Sequence, residues 1–325
     1  MRDAAVTLDE AVRSIRAQSL DSWEMIAVDD GSKDQSLQIL QRHASEDCRI
    51  RVFSRPRKGI VPALEAGRRH CQAPFLARMD ADDWADRDRL RKQVSFLEAH
   101  PTFALCGTHV RYFPRAKVRK GARRYEAWLN SLRTPEDLTR NLWIECPLAH
   151  PSFAMRTRAI EGIGGYRDCG WPEDYDLVLR FWAAGLKLGV VPEILHHWRE
   201  DADRLSRTHP RYRPSAFREI KLQFLSQTLL RDRDGIVVWG AGPLGKAFAR
   251  AALSRKIPVR AFVDLDPRKL GQEIHGVPVL SPKAAYQLRE SLILGAVGKP
   301  GARDEIRRAL LSFGWEEGRD FVAVA

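Results

Sequence analysis

The stretch that decides the fold is Phe75-Leu-Ala-Arg-Met-Asp-Ala-Asp-Asp83. An apolar run that leads into three closely spaced carboxylates predicts a buried strand ending in an acidic loop. Two such charges about 4 Å apart cost roughly 4 kcal/mol at an effective dielectric near 20, so the loop needs a cation. Because strand ends of open α/β sheets bind ligands, we expect a hard-metal site that receives a phosphorylated ligand. The alternative is an acidic turn that caps a helix starting near Asp86.

The composition indicates a globular protein with anionic partners. Its 325 residues suit two domains, and the net charge of +12 favours nucleotide phosphates, acidic lipid surfaces or nucleic acid. Arginine is scattered without a basic tail or an aromatic-interleaved groove, so a nucleic-acid partner is not expected. No apolar run reaches about 18 residues, which argues against a transmembrane helix or a secretory signal. The five cysteines form no C-x-x-C pair, which predicts reduced thiols in a cytosolic protein.

Helical and strand patterns alternate along the N-terminal part of the chain. We expect a helix at 9–20, strands at 23–28, 50–53 and 75–79, and helices through Leu37 and Leu40 and at 61–71. Ser32 or Asp34 could cap the second helix. This alternation predicts the α/β class with a doubly wound, mostly parallel sheet. Such a sheet normally opens with an apolar strand, so we expect that the first strand is missing and that the true start lies upstream.

The chain carries three acidic motifs in order: Glu24-Met-Ile-Ala-Val-Asp-Asp-Gly-Ser32, then the stretch 75–83, then Glu173-Asp-Tyr-Asp-Leu177. Together they resemble family 2 glycosyltransferases of the GT-A fold. The resemblance runs from about residue 3 to about residue 207. We therefore expect a GT-A domain at 1–205, a linker with a bridging helix at 206–232, and a small Rossmann-like α/β domain at 233–325.

The resemblance implies roles for the first two motifs. Asp29 and Asp30 would bind the base or ribose of a nucleotide sugar. Asp82 would be the direct ligand of Mn²⁺ or Mg²⁺, and Asp80 would lie on the metal, ribose or sugar side. Asp83 would lie behind the metal ligands or cap a helix. The alternative for the first pair is a turn-forming Asp-Gly.

The third motif resembles the acceptor side of these enzymes. Asp174, with Glu173 beside it, would take the proton from the acceptor hydroxyl, and a single displacement would invert the anomeric carbon. The alternative is an N-terminal helix cap with carboxylates that stabilise the helix dipole. Arg78 and His150 are assigned to nucleotide-sugar binding, although His150 could instead be a packed histidine.

Further segments match the family pattern more loosely. Gly164-Gly165-Tyr166 would allow a close approach near the sugar, and Arg57-Lys58-Gly59 would lie near the nucleotide. Several basic residues could touch the diphosphate or form a solvated loop: His196, His197, His209, Arg204 and Arg207. The densest basic segment, residues 115–124, is either a solvated loop or a contact for an anionic acceptor or membrane surface.

A second glycine-rich motif lies near the C-terminus. Gly240, Gly242 and Gly245 follow an apolar strand and open a helix, and Asp264 ends the next strand. This context predicts a second nucleotide-type site, with a nucleotide or NAD(P) as ligand. The segment also resembles the small Rossmann-like domains that precede sugar acyltransferases, with Gly276-Val-Pro-Val279 as a further match. A purely structural or docking module is the alternative.

These observations favour one function and leave two others open. The leading hypothesis is an inverting, metal-dependent glycosyltransferase that moves a sugar from a nucleotide diphospho-sugar, a UDP-sugar in the first instance, to a hydroxyl of a glycan or lipid-linked acceptor. We expect it in the cytoplasm, with peripheral association at the inner face of the membrane left open. The alternatives are an NAD(P)-dependent oxidoreductase that uses the C-terminal motif, and a non-catalytic protein that binds sugar nucleotides.

Overall fold

A computed structural model describes residues 1–201 and 204–325. Packing divides the chain into two compact units. The first comprises Met1–Leu138, Pro147–Cys169 and Glu173–Thr208, and the second comprises Thr139–Cys146, Gly170–Pro172 and His209–Ala325. The division into domains at 1–205 and 233–325 with a linker between them stays a prediction, and the expected bridging helix packs within the second unit.

The first unit opens with a two-stranded parallel sheet, in which Met25 pairs with Ile50 and Asp29 with Ser54. Its strands are β1 (Met25–Asp29) and β2 (Ile50–Ser54), with helices α1 (Ala5–Arg16), α2 (Ser36–Glu46) and α3 (Ile60–His70). Leu8, Val12 and Leu40 come from α1 and α2 and bury their side chains against Ala27 and Ile50 of the strands. The predicted strands and helices of this region are confirmed, except that α1 lies nearer the N-terminus than expected.

The position of α1 depends on residues far away in sequence. The side chain of Asp34 accepts a hydrogen bond from Ala5 N (2.9 Å), and Ser36 Oγ accepts one from Ala4 N (2.8 Å). These acceptors satisfy helix N-terminal donors that otherwise have no partner in the helix. The residues that cap α1, Asp34 and Ser36, lie about 30 positions later in the sequence. The periodicity at 9–20 alone therefore could not show where α1 begins.

A five-stranded sheet with the order β3-β6-β5-β7-β4 forms the rest of the first unit. Its strands are β3 (Phe75–Ala77), β4 (Trp84–Ala85), β5 (Phe103–Phe113), β6 (Ala154–Arg156) and β7 (Lys187–Arg199). Its helices are α4 (Arg89–Ala99), α5 (Lys120–Ser131), α6 (Pro135–Asn141, whose last three residues pack in the second unit), α7 (Thr157–Gly162), α8 (Glu173–Ala183) and α9 (Leu205–Thr208). Short 3₁₀ turns lie at Arg115–Lys117, His150–Ser152 and Pro210–Tyr212, the last in the second unit.

The five-stranded sheet is mixed in direction. The long pair β5 and β7 is parallel, while β6 runs antiparallel to both β3 and β5, and β4 runs antiparallel to β7. Across both units, most strand pairs formed by the described residues are parallel, as the α/β prediction requires. In the same residues β1 and β3 belong to separate sheets, and the amino group of Met1 donates to Val28 O of β1 (2.7 Å). The missing first strand stays a prediction.

The second unit is built on a six-stranded sheet with the order β10-β11-β9-β8-β12-β13, parallel except for β10. Its strands are β8 (Ile236–Trp239), β9 (Val259–Val263), β10 (Glu273–Ile274), β11 (Val277–Leu280), β12 (Leu292–Gly295) and β13 (Phe321–Ala323). Its helices are α10 (Pro214–Gln227), α11 (Pro243–Ser254), α12 (Pro282–Ala285) and α13 (Ala302–Ser312). Buried Val237, Ile293, Leu310 and Phe321 form part of its core.

Lys221 explains why residues 139–146 pack with this unit. The side chain lies fully buried on α10, and its Nζ donates to Ile144 O (2.7 Å) and Val324 O (3.1 Å). Burial lowers the pKa of Lys221 to about 8, against the opposing charge of Glu145. The Lys221 ammonium therefore connects residues 139–146, helix α10 and the C-terminal end of the chain.

The glycine motif of the second unit is a tight turn between β8 and α11. A Cβ on Gly245 would lie 1.8 Å from Gly240 O, whereas a Cβ on Gly242 would meet nothing within 4 Å. Asp264 already accepts hydrogen bonds from Ala241 N (2.9 Å) and Lys269 Nζ (2.8 Å). Gly245 is thus required by packing, and the Asp264 carboxylate binds the backbone of the turn.

Among the described residues, no helix combines the length and the apolar character needed to cross a bilayer.

The two glycines make a matched pair for testing this turn. We expect Gly245→Ala to destabilise the second unit by about 2 kcal/mol or more, because the new methyl group collides with backbone. Gly242→Ala should change the free energy of unfolding by less than about 0.5 kcal/mol, because its site is open. Thermal unfolding of both variants measures this, and equal melting temperatures would contradict the turn geometry.

Candidate functional site

The three carboxylates after β3 form a compact cluster. Asp80, Asp82 and Asp83 each offer one oxygen, and these oxygens lie within 4.8 Å of one another. Burial, and then the charge of Asp80, raises the pKa of both Asp82 and Asp83 well above the usual carboxylate range. Three hard oxygen donors at this spacing fit Mg²⁺ or Mn²⁺, whose charge would offset the repulsion.

Asp83 lies at the bottom of the cluster and supports it from below. Its side chain is fully buried, with Oδ2 2.8 Å from His196 Nε2 and Oδ1 accepting from Arg199 N at 2.7 Å. Arg199 Nε also donates to Asp82 O at 2.6 Å. The residue that precedes α4 is Asp88. Asp83 is therefore not a helix cap, and of its two expected roles the structure supports the one behind the metal ligands.

Behind Asp83 lies a chain of buried polar groups. Arg89 donates through Nη2 to Arg78 O (2.6 Å), and its Nη1 lies 3.1 Å from His196 Nδ1. Its Nε donates to Gln93 Oε1 (3.1 Å), and Gln93 Nε2 donates to Ser152 O (2.8 Å). Because Arg89 is a donor, His196 accepts at Nδ1 and donates at Nε2 to Asp83. Burial, and then Arg89, holds the pKa of His196 well below its usual range, so the ring is neutral.

This arrangement corrects the expected diphosphate contact of His196, while those of His197 and His209 stay predictions. His196 is buried on β7 and serves Asp83. His197, also on β7, packs its ring against Trp84 and Phe113. His209 belongs to the second unit. The sequence showed basic groups after the third motif, but side chains alternate along β7, so that His196 is buried and His197 on the other face is half-buried.

Arg204 is the basic residue of this region whose charge acts on the cluster. Its guanidinium lies 4.2 Å from the ring centre of Trp198 and 3.8 Å from Glu200. The charge of Arg204 acts to lower the pKa of both Asp82 and Asp83, although burial outweighs it. Arg207 pairs instead with Glu200 (2.5 Å).

Arg78 links the cluster electrostatically to Glu173 of the third motif. The guanidinium is almost fully buried and forms an ion pair with Asp80. Burial opposes its charge, but Asp80, Tyr166, Asp83 and Glu173 together hold the pKa of Arg78 above its ordinary value. One buried cation therefore interacts with carboxylates from both acidic motifs, and the two motifs lie in one neighbourhood of the first unit.

Glu173 and Asp174 of the third motif lie at the start of α8. Glu173 is buried, with Oε1 3.7 Å from His150 Nδ1, while Asp174 is half-buried and its Oδ1 accepts from Tyr175 N (2.8 Å). His150 Nε2 lies 3.0 Å from the Tyr166 hydroxyl. Burial, and then Arg78, holds the pKa of His150 well below its usual range. Glu173 therefore faces a neutral histidine, and Asp174 is the more accessible acid.

The glycine pair before Tyr166 positions that ring. Gly164 and Gly165 have φ values of +81° and +69°, which glycine adopts without strain. A Cβ on Gly165 would lie 2.3 Å from Glu65 Oε1, and the same oxygen accepts from Tyr166 N (2.6 Å). The pair thus serves close packing on Glu65, which directs Tyr166 toward His150.

Asp29 and Asp30 lie at the end of β1. Asp29 accepts from Ser32 N (3.2 Å) and Ser54 Oγ (3.2 Å), and Asp30 accepts from Lys58 N (3.0 Å) and Gly59 N (2.7 Å). Both carboxylates and Asp80 act on the amino group of Met1, whose pKa burial lowers. The acids of the first two motifs therefore lie near one another, around the Met1 amino group. Asp30 also orders the loop before α3.

The sequence did not identify the supporting residues Arg89, Gln93 and Arg199. A usable signal was present for two of them. Arg89 and Gln93 are four residues apart on α4, in line with buried Leu97. Long polar side chains on the buried face of a helix need partners, which indicates a polar network.

Asp82→Asn tests the electrostatics of the cluster. A carboxyl whose pKa is raised by folding contributes stability that is present at low pH and lost as the pH rises through the raised pKa. Without metal, we expect the variant to melt several degrees above the wild type near pH 8 and to differ little near pH 4, because it removes one repelling charge.

Mn²⁺ should raise the melting temperature of the wild type and leave that of Asp82→Asn unchanged. Asp304→Asn, at an acid 74% exposed, is the matched control and should behave as wild type. An equal Mn²⁺ response of the wild type and the Asp82 variant would contradict the metal site.

His196→Phe tests the buried support. The variant removes the donor to Asp83, and a buried carboxylate without that partner should cost about 2–4 kcal/mol. His197→Phe, next in sequence but half-buried against aromatic rings, should cost less than about 1 kcal/mol. Denaturant unfolding measures the free energy of unfolding of both variants. Equal decreases in the two variants would contradict a stabilising role for the hydrogen bond to Asp83.

The N-terminal half of the chain is similar to known proteins. Residues 2–164 match the family Glycosyl transferase family 2. The putative glycosyltransferase EpsE of Bacillus subtilis is 34% identical over 206 residues, which are 62% of this chain and 71% of EpsE. The amylovoran biosynthesis glycosyltransferase AmsE of Erwinia amylovora is 28% identical, over 62% of this chain and 73% of AmsE.

Two solved structures share the fold. S. aureus TarS residues 1–349, in complex with UDP-GlcNAc, gives a TM-score of 0.56 at 13% identity. The match covers 70% of this chain and 64% of the TarS chain, so this chain spans less than two thirds of the TarS structure. Mannosyltransferase PcManGT from Pyrobaculum calidifontis, in complex with GDP-Man and Mn²⁺, gives 0.50 at 21% identity, covering 76% and 65%. The acidic site thus lies in a GT-A fold, and the chain belongs to glycosyltransferase family 2.

Proposed function

We propose that the protein is an inverting, metal-dependent glycosyltransferase that uses a nucleotide diphospho-sugar. The observation that carries the proposal is the cluster of Asp80, Asp82 and Asp83, joined through buried Arg78 to Glu173. Asp80 and Asp82 would hold Mn²⁺ or Mg²⁺, because Asp83 is already bound by His196 and Arg199. The cation would supply Lewis-acid stabilisation of the departing diphosphate.

Asp174 is the proposed general base. It lies in the first turn of α8, is more accessible than Glu173, and would accept the proton of the acceptor hydroxyl as that oxygen attacks the anomeric carbon. Glu173 would hold His150 and orient the start of the helix. One base and one displacement give inversion.

Arg78, Asp29, Asp30 and His150 are proposed for the nucleotide-sugar side. Arg78 would fix Asp80 by its ion pair and place positive charge beside the transferring sugar. Asp29 ends β1, where the base or ribose would lie, and Asp30 would act by ordering the loop at Lys58 and Gly59.

The donor is proposed to be a UDP-sugar and the acceptor a glycan or lipid-linked glycan in the cytoplasm. The TarS complex with UDP-GlcNAc supports the first, and the role of AmsE in amylovoran biosynthesis supports the second. The PcManGT complex contains GDP-Man and Mn²⁺, which supports a metal and keeps guanine donors in the screen.

A nucleotide or NAD(P) ligand in the second unit is a secondary proposal that rests on the glycine turn. It is weakened by Asp264, whose oxygens are bound to Ala241, Lys269 and Asp266. A nicotinamide-dependent absorbance change would favour the oxidoreductase alternative. Nucleotide binding without turnover would favour a non-catalytic protein.

Turnover of a donor panel with Mn²⁺ tests the main proposal. Release of nucleoside diphosphate from UDP- and GDP-sugars should require the metal. Asp174→Asn should lower kcat by about 10²–10⁴ and leave donor KM near wild type, because it removes only the base. Asp82→Asn should lower kcat/KM and raise the Mn²⁺ requirement. Glu161→Gln, at an acid 56% exposed, is the control. Undiminished turnover in the Asp174 variant would refute its role.

A further inference from the structure

An exposed basic surface lies on the first unit outside the site. It consists of the end of the 3₁₀ turn and the first two turns of α5, and its members are Lys117, Arg119, Lys120, Arg123 and Arg124, all exposed. We call this surface the basic face. Lys120, Arg123 and Arg124 are spaced three and four residues apart, so their side chains lie on one side of the helix.

The basic face is not neutralised by nearby acids. Residues 111–134 contain eight lysines and arginines but a single acid, Glu126. Glu126 is half-buried, pairs with Arg115 (2.8 Å), and accepts from Tyr112 N (2.6 Å). Among the described residues, Lys120 and Arg124 have no acidic partner. Like charges at these spacings repel by about 0.2–0.5 kcal/mol per pair, so the helix retains them at a cost.

The opposite side of α5 fixes the helix to β5. Asn130 Oδ1 accepts from Val110 N (2.9 Å), and Asn130 Nδ2 donates to Val110 O (2.8 Å). Leu129 is buried, and Tyr125 and Trp128 pack against the same strand. The basic side chains therefore project from a rigid element rather than from a loose loop.

The helix that carries the basic face also packs on residues that lead to the acidic cluster. The Tyr125 ring, on α5, lies 6.4 Å from Trp198, which in turn carries Arg204 at 4.2 Å. Arg204 acts electrostatically on Asp80 and Asp83. The helix α5 is therefore connected through Tyr125 and Trp198 to Arg204, whose charge acts on the acidic cluster, all within the first unit.

We propose that the basic face docks on an anionic lipid bilayer. Its charges are spread along the exposed side of a helix, which suits a plane of many headgroups. Its exposed side chains lack aromatic rings for base stacking, which disfavours single-stranded nucleic acid. Each lysine or arginine near an anionic surface contributes about 1 kcal/mol, so a few suffice for reversible binding. Docking would hold the site near lipid-linked acceptors, yet it does not depend on the transfer chemistry.

Vesicle co-sedimentation with two matched variants of the full chain tests the proposal. Both variants remove four positive charges from exposed positions. The basic-face variant carries Lys117→Gln, Arg119→Gln, Lys120→Gln and Arg124→Gln. The control variant changes the second unit and carries Arg250→Gln, Lys283→Gln, Lys299→Gln and Arg308→Gln. Arg123 is kept because it donates to Val118 O.

The wild type should bind vesicles of phosphatidylglycerol and phosphatidylcholine, and release them at about 0.5 M salt. The basic-face variant should bind about 1,000-fold more weakly, because four charges at about 1 kcal/mol each are removed, and the control variant should bind within a few-fold of wild type. Circular dichroism should show both variants folded. Equal losses in the two variants, undiminished binding of the basic-face variant, equal binding to pure phosphatidylcholine, or binding to soluble polyanions but not to vesicles would each overturn the proposal.

Discussion

The hydrogen bond between buried His196 and Asp83 is the interaction on which the site depends. Three carboxylates with oxygens within 4.8 Å repel one another, and the deepest of them has no water to solvate it. A neutral histidine, held by Arg89, donates to one oxygen, and a backbone amide donates to the other. This fixes Asp83 as an acceptor and leaves Asp80 and Asp82 to face a ligand. A site so supported would be ordered before the proposed cation binds.

The same support ties the site to the fold. Arg89 comes from α4, His196 and Arg199 from β7, and Arg78 from the end of β3, so the cluster is positioned by several elements of one unit. Arg78 extends the network to Glu173 and, through Tyr166, to His150. A change at any of these buried groups should therefore affect both stability and the geometry of the acids. Such coupling is typical of sites held by networks rather than by single contacts.

The sequence predicted what depends on local pattern. The apolar run before Asp80, the Asp-Gly turn after β1 and the acidic start of α8 identified strand ends and a helix start, and with them the candidate acids. It failed where partners are distant. Asp83 meets His196 across 113 residues, and the cap of α1 comes from Asp34 across 29, separations that no periodicity reports.

The mixed direction of the five-stranded sheet escaped prediction for a related reason. β4 and β6 are short strands of two and three residues, which carry too little pattern to be recognised. They are held in place by pairing with β7, β3 and β5 rather than by their own propensity.

Calorimetric titration of UDP and GDP into the protein, with Mn²⁺ and with EDTA, tests the central claim most directly. If the acids after β3 hold a cation against a diphosphate, the metal and one of these nucleotides bind cooperatively. We predict that Mn²⁺ tightens binding of that nucleotide by about ten-fold or more. Equal affinities in Mn²⁺ and EDTA for both nucleotides would contradict the account.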